Sequence, residues 1–499
     1  MYVTCEVPSV APNPLAPTWL AEPGDANALA PGLWPAGSDR SADGQLTVGG
    51  VAASDLVNRF GTPLYVINEA DVRARAAGVL AALRDAFAPI GAAVKVYYAG
   101  KAFLSTAVAG WVAEEGLNID VCSGGELAVA LAAGVDASRL GFHGNNKSQA
   151  EIDRGVSVGI GAIVIDSEQE IGRVADAARR FGVIQPVRLR VNSGVHAHTH
   201  EFLATSHEDQ KFGVPLDQVE TLVAAIRSED SLRFLGLHCH IGSQILAADG
   251  FAESATRLLA VHARLLQSGD VPELNLGGGF GIAYTSADEP AVLAEIAERI
   301  ATAVAAECER LAIPVPSIAF EPGRYIIGPA GLTIYTVGTT KPVAVTVQDA
   351  GDDADATTAT RLYVSVDGGM SDNVRTALYG AEYSARIANR ASAASPALVR
   401  VAGKHCESGD IVVDAEYLPG DVAPGDLLAV PATGAYCWSL SSNYNYLPRP
   451  AVVAVRDGSA TVIVRGESEH DLLAHDVGVA DHDSTGQPAG PHEAGEHRA

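Results

Sequence analysis

The sequence predicts an α/β protein, a (β/α)8 TIM-like barrel joined to a C-terminal antiparallel β domain. Two features of its patterning carry that expectation. Eight short β-rich runs recur between residues 94 and 320, and most are separated by segments of helical period. Beyond about Gly331 the texture changes to β-branched runs divided by Gly, Pro and Asp.

Residues 1–45 are rich in Pro, Ala, Gly and Asp without a sustained period, and read as an irregular leader that becomes ordered near Leu46. The 46–64 stretch reads as a strand and linker that joins the β domain. The eight runs are Val94–Tyr98, Asn118–Val121, Leu140–His143, Ala162–Asp166, Val187–Val191, Phe234–His240, Glu273–Leu276 and Ile318–Phe320. Leu216–Arg227 and Pro290–Leu311 exemplify the helices between them. Eight strands with helical crossovers suit a barrel of about 250 residues, placed at 65–330. A doubly wound open sheet would hold the same count. Within 331–473, strands are expected at Thr333–Thr340, Val343–Val347, Leu362–Val366, Asp410–Glu416, Leu427–Pro431 and Ala451–Val464, with an exposed loop at Gln348–Thr360. The polar 474–499 segment reads as a disordered tail.

Composition narrows the function. The 499 residues carry 34 basic and 60 acidic side chains, a formal net charge of −26. That balance argues against nucleic acid or an anionic membrane as partner, since both require clustered cations. No run is long and apolar enough to span a bilayer, and no secretory signal is expected. Six cysteines without CxxC spacing read as reduced thiols of a cytoplasmic protein.

In a barrel, chemistry belongs at the C-terminal strand ends. Those ends present Lys101, Ser123–Glu126, His143 with Asn145, Asp166, Arg190, His240 with Ser243, Gly277–Gly279 and Glu321–Arg324. A lysine desolvated beside Ala99, Ala102 and Phe103 is expected to have a lowered pKa, freeing its amine for a Schiff base. Gly277, Gly278 and Gly279 leave backbone N–H groups open to a phosphate, with Ser243 and Arg324 adding donors. A buried Glu321 requires a partner, and a protonated ring nitrogen is one. With a histidine able to stack on a ring, these features together describe pyridoxal 5′-phosphate. His196, His198 and His200 alternate as a strand-borne metal site would, but no carboxylate or thiolate partner is fixed, and no metal is expected.

Several motifs then share one order and spacing: Tyr-Tyr-Ala-Gly-Lys101, Asp120-Val-Cys-Ser-Gly-Gly-Glu126, His143-Gly-Asn-Asn-Lys-Ser148, His238-Cys-His240-Ile-Gly-Ser243 and Leu276-Gly-Gly-Gly-Phe-Gly281. They continue with Glu321-Pro-Gly-Arg324, Arg375-Thr-Ala-Leu-Tyr379, Cys406-Glu407-Ser-Gly-Asp410 and Gly434-Ala-Tyr436. From about Gly61 to Leu473 the chain resembles the fold-type III pyridoxal-phosphate decarboxylases, and among them the diaminopimelate decarboxylase family. That resemblance implies an alanine racemase-like architecture and decarboxylation of meso-2,6-diaminopimelate at its D-centre, giving L-lysine and CO2.

The same resemblance implies roles by position. Lys101 would carry the cofactor, His240 would stack on its ring and Glu321 would hold the ring nitrogen protonated. Ser243, Gly277–Gly279, Gly323, Arg324 and Tyr436 would bind phosphate. Asp120, Glu126 and Arg190 would keep His240, Lys101 and Glu321 in register. Arg324, Arg375, Tyr379, Glu407 and Tyr436 would bind substrate, and Cys406 would reprotonate the carbanion. Cys406 and Glu407 would reach across a homodimer interface, so the active sites would be shared. Thr376 departs from the family's usual proline. Ornithine, arginine and carboxynorspermidine decarboxylases are the nearest rivals in substrate, although ornithine would leave Arg375 without a carboxylate.

Overall fold

The computed structural model describes residues 13–195, 211–347 and 357–478. His196, His198 and His200, most of the expected 348–360 loop and most of the tail lie outside those residues.

Eight parallel strands close on themselves: β1 (Val94–Ala99), β2 (Asn118–Val121), β3 (Leu140–Phe142), β4 (Ala162–Ile165), β5 (Gln185–Asn192), β6 (Leu232–His238), β7 (Glu273–Asn275) and β8 (Ser317–Phe320). Closure is what separates a barrel from an open sheet. Ile318 of β8 pairs with Val94 of β1, and Ile163 of β4 pairs with Val187 of β5. Strands covered on both faces read as apolar runs, as in the wholly buried Ala-Ile-Val-Ile of β4. β3 and β6 end one and two residues short of expectation, so His143 and His240 open loops at the barrel mouth.

Helices wrap the outside because their apolar positions fall on one stripe. In Glu69–Phe87 the buried residues include Val72, Ala76, Val79, Leu83 and Phe87, spaced three and four apart. Asn68 caps that helix by accepting the Asp71 N–H at 3.3 Å. Phe87 meets Phe320 of β8 edge-on, with ring centroids 5.7 Å apart. Among the described residues, no helix is long and apolar enough to cross a membrane.

The second domain is mostly antiparallel. Gly331–Val347 is one long strand where two were expected, pairing with Thr357–Val366 and Leu427–Pro431. Pro342 does not break it, because that stretch pairs on one side only and a proline can turn its missing donor outward. Thr357–Thr360, expected in a loop, extend the partner strand. Pro396–Ala402 is a strand missed in the sequence pattern, because proline and two alanines bracket its short Leu-Val-Arg-Val run. Two pairings are parallel: Leu362–Ser365 with Val399–Ala402, and Leu64–Asn68 with Ala451–Val455.

Leu64–Asn68 also runs antiparallel to Gly331–Ile334, so the strand straddling residue 65 belongs to this second sheet. The chain thus enters the β domain, builds the barrel and returns. The leader is ordered well before Leu46. Leu33 and Trp34 are buried against Leu56, Leu332 and Val453, and Asp39–Arg40 pairs with Leu46 and Thr47. A few apolar anchors hold an irregular backbone there, which leaves no period in the sequence. The domains meet at the barrel mouth, where the Tyr436 N–H donates to Ala102 O at 2.8 Å.

Candidate active site

β1 ends at Ala99, and one 3-10 turn, Gly100–Ala102, carries Lys101 into the mouth of the barrel. Its side chain faces a cavity of about 420 Å³ lined also by Asp120, Cys122, His143, Arg190, His240 and Glu321. A smaller recess of about 60 Å³ adjoins it, sharing Lys101, His240 and Glu321 and adding Ser243, Gly279, Gly323, Arg324 and Tyr436. Lys95 lies at the opposite end, paired with Glu273 at 2.8 Å. The expected lowering of the Lys101 pKa is corrected. Burial does pull it down, but charge interactions with Tyr436, Cys122 and Glu321 outweigh burial and hold the ammonium above its ordinary value.

Glu321 follows β8 and is gripped from three sides. Asn275 Nδ2 donates to its Oε1 at 2.8 Å, His238 Nε2 lies 3.0 Å from the same oxygen, and His143 Nε2 lies 3.4 Å away. Burial opposes ionisation, yet the two imidazoles prevail and keep the carboxyl well below the usual range. Asp120 shows the opposite behaviour. Burial, followed by the charge of Glu321, pushes its carboxyl well above that range, so it is the protonated member of the pair. Burial holds His143 and His238 at about 4, hence neutral.

His240 is fixed from the glycine turn. Gly278 N–H donates to its Nδ1 at 3.3 Å, which leaves the proton of the neutral ring on Nε2. Burial, then Lys101 and Arg190, keep the ring neutral. The glycines themselves are sterically required. A Cβ on Gly277 would stand 2.4 Å from Cys239 O, one on Gly278 2.0 Å from Glu321 O, and one on Gly279 2.4 Å from Gly242 O. Asn275 ties this turn to the carboxylate, since its Oδ1 accepts the Gly277 N–H at 2.8 Å.

Arg324 donates to Ser243 Oγ at 2.8 Å and to Tyr284 OH, and its guanidinium lies 4.6 Å from the Tyr436 ring centroid. Arg375 opens the short helix Arg375–Tyr379, donates to Tyr383 OH and sits 4.6 Å from the centroid of the Tyr284 ring. Tyr379, one turn on, is half-buried. Both arginines are buried, and neither has a carboxylate partner among the described residues. Such a charge is costly until an anion arrives.

The remaining expected residues take other contacts. Ser123 caps Gly124–Ala132, which places Glu126 to accept the Cys122 N–H at 2.7 Å. Arg190 lies over the Phe212 ring at 4.2 Å and 3.8 Å from Asp166. Glu321 is therefore held by Asn275, His238 and His143, not by Arg190 or Glu126. His238 was legible in principle, because positions two apart on an extended strand share a face with His240. Cys406 and Glu407 are exposed on the β domain and line neither cavity.

The pocket suits pyridoxal phosphate. Both Asp120 oxygens, His143 Nε2 and both ring nitrogens of His238 are buried without an aligned hydrogen-bond partner, as a floor awaiting a polar ligand would be. The recess offers a side-chain-free turn, a hydroxyl and a guanidinium, which match a phosphate, and Lys101 offers the amine. Ligand atoms of His143, His238 and Glu321 also lie within 4.8 Å of one another, a spacing a metal ion could use.

Comparisons with known proteins favour the cofactor. The family model described as "Pyridoxal-dependent decarboxylase, pyridoxal binding domain" matches residues 74–328. The chain is 46% identical over 457 residues to the diaminopimelate decarboxylase of Mycobacterium tuberculosis, covering 90% of this chain and 98% of that one. It is 43% identical over 444 residues to the Bacillus subtilis diaminopimelate decarboxylase, covering 88% and 97%. The crystal structure of diaminopimelate decarboxylase from M. jannaschii in complex with L-lysine superposes with a TM-score of 0.79 at 28% identity, covering 88% and 97%.

Proposed function

Because the chain belongs to the diaminopimelate decarboxylase family, we infer that it removes CO2 from the D-centre of meso-2,6-diaminopimelate and forms L-lysine. Its cofactor, pyridoxal 5′-phosphate, supplies a ring that takes up the electron pair left when the Cα–carboxylate bond breaks. The observation that best supports this substrate is the pair of buried guanidiniums without a carboxylate partner among the described residues, Arg324 and Arg375. A planar fork of donors suits a distal carboxylate.

We assign the residues as follows. Lys101 would hold the cofactor through its amine and would carry a proton when that amine is free. Glu321, kept ionised by His238, His143 and Asn275, would hold the ring nitrogen protonated. Neutral His240 would stack on the ring. Ser243, Gly277–Gly279, Gly323, Arg324 and Tyr436 would bind the phosphate, while Asp120, Glu126 and Arg190 position the residues around it. Gripping the far end of the substrate through Arg375 and Tyr379 orients the reacting bond, so those contacts contribute to rate as well as affinity.

Cys406 would return the proton to Cα, and Glu407 would bind the distal ammonium. Their exposure, and their absence from the cavities of their own chain, support a homodimer in which a second copy contributes both. Five free thiols and no disulfide among the described residues support a cytoplasmic setting.

Substrate choice is tested by offering the purified holoenzyme meso-diaminopimelate, ornithine and arginine separately. Lysine from the first and no amine product from the others is expected. Faster turnover of ornithine or arginine would keep the chemistry and overturn the substrate. Mixing Lys101→Ala with Cys406→Ala chains tests the sharing of sites. Recovered activity is expected from hybrids, and none would contradict a shared site.

A further inference from the structure

Two loops of the β domain carry three residues, Arg375, Cys406 and Glu407, that the proposed chemistry draws from outside the barrel. Residues 368–375 lead into Arg375, and 403–410 carry Cys406 and Glu407. Asp410 joins the loops. One of its carboxylate oxygens accepts the Met370 N–H at 2.6 Å, and the other accepts the His405 N–H at 2.7 Å. Lys404 N–H adds a backbone bond to Gly368 O at 2.9 Å.

The seat admits that carboxylate because two side chains are missing. A Cβ on Gly369 would stand 2.5 Å from Asp410 Oδ1, and one on Gly403 would stand 2.2 Å from Oδ2. His405 extends the link. Its Nε2 accepts the Ser371 N–H at 3.2 Å and lies 2.9 Å from Ser371 Oγ. That leaves Nδ1 as the protonated nitrogen, 3.1 Å from Asn445 Oδ1, and the same oxygen accepts the Cys406 N–H at 3.4 Å. The imidazole is stacked on Tyr444, with ring centroids 5.2 Å apart.

Asp410, His405 and Ser371 are buried, whereas Cys406 and Glu407 beside them are exposed. A fully satisfied buried polar network rigidifies its surroundings. We propose that Asp410, His405 and Ser371 form a clamp that positions Cys406 and Glu407 relative to Arg375. The arginine of a chain's own site and the loop it offers to a second copy then keep one fixed relation. All three are positioning residues, and the proposal rests on the shared-site reading above.

The test uses the full-length holoenzyme carrying Ser371→Ala, His405→Ala or Asp410→Asn. Four quantities are read: kcat, KM for meso-diaminopimelate, cofactor absorbance, and the rate at which iodoacetamide alkylates Cys406, followed by peptide mass. Cofactor absorbance is expected to stay, kcat to fall about tenfold, and Cys406 alkylation to accelerate about fivefold as the loop loosens. Ser371→Ala removes only a hydroxyl and keeps the test alive should Asp410→Asn fail to fold. Wild-type kcat together with a wild-type alkylation rate in Ser371→Ala and His405→Ala overturns the clamp. Full turnover in Cys406→Ala would instead overturn the acid role of Cys406, and the alkylation rates would still decide the clamp.

Discussion

Nε2 of His238 lies 3.0 Å from Oε1 of Glu321, and both side chains are buried in the wall of the cavity. This polar contact lowers the cost of burying the carboxylate, beside the hydrogen bond that Asn275 Nδ2 donates to the same oxygen at 2.8 Å. His238→Leu removes it without adding charge. Loss of a polar contact to a buried charge costs about 1–3 kcal/mol, so kcat is expected to fall roughly 5- to 100-fold. Steady-state kinetics at saturating cofactor check this, with cofactor affinity measured in parallel.

Tyr284 serves two cations at once, accepting from Arg324 through its hydroxyl and facing Arg375 with its ring. Tyr284→Phe keeps the face and loses the hydroxyl, whereas Tyr284→Leu loses both. KM for meso-diaminopimelate is expected to rise roughly tenfold in the first and further in the second, since a desolvated cation–π contact adds about 1–2 kcal/mol. Equal KM values in the two variants would show that the ring face does nothing.

Gly278 has no room for a methyl group, which would stand 2.0 Å from Glu321 O. Gly278→Ala must therefore shift either the glycine turn or the end of β8, at a cost of about 1–3 kcal/mol. A lowered denaturation midpoint is expected, together with weaker retention of inorganic phosphate and of the cofactor.

Three buried histidines, His143, His238 and His262, are held at about 4 by burial. Between pH 4 and about 6.5 the unfolded chain binds protons that the folded chain refuses, so stability rises with pH across that window and is complete above it. Denaturant midpoints are expected to fall on acidification from pH 7 to 5. His262 lies in Asp249–Leu266, away from the cavities, so His262→Leu separates this effect from the site. That variant is expected to flatten the pH slope by about 1–2 kcal/mol at pH 5.

The barrel was legible because parallel strands buried on both faces leave uninterrupted apolar runs. Lys101, the glycine triplet and Glu321 were legible because strand ends carry barrel chemistry. Asn275, Tyr284 and Tyr383 were not, since their importance lies in convergence across segments distant in sequence. The direction of the Lys101 shift was missed for a related reason: hydrophobic neighbours are adjacent in sequence, whereas Tyr436 and Glu321 reach the lysine only in the fold. Leu33 and Trp34 escaped notice because single anchors in an irregular segment make no period.

The most direct test is to follow purified protein by ultraviolet–visible absorbance while meso-diaminopimelate is added and CO2 and L-lysine are measured. A cofactor band present in the wild type and lost in Lys101→Ala, with CO2 and L-lysine released in equal amounts, is the predicted result. A protein that cannot be loaded with pyridoxal phosphate, or one that is loaded and releases no CO2 from this substrate, would contradict the account.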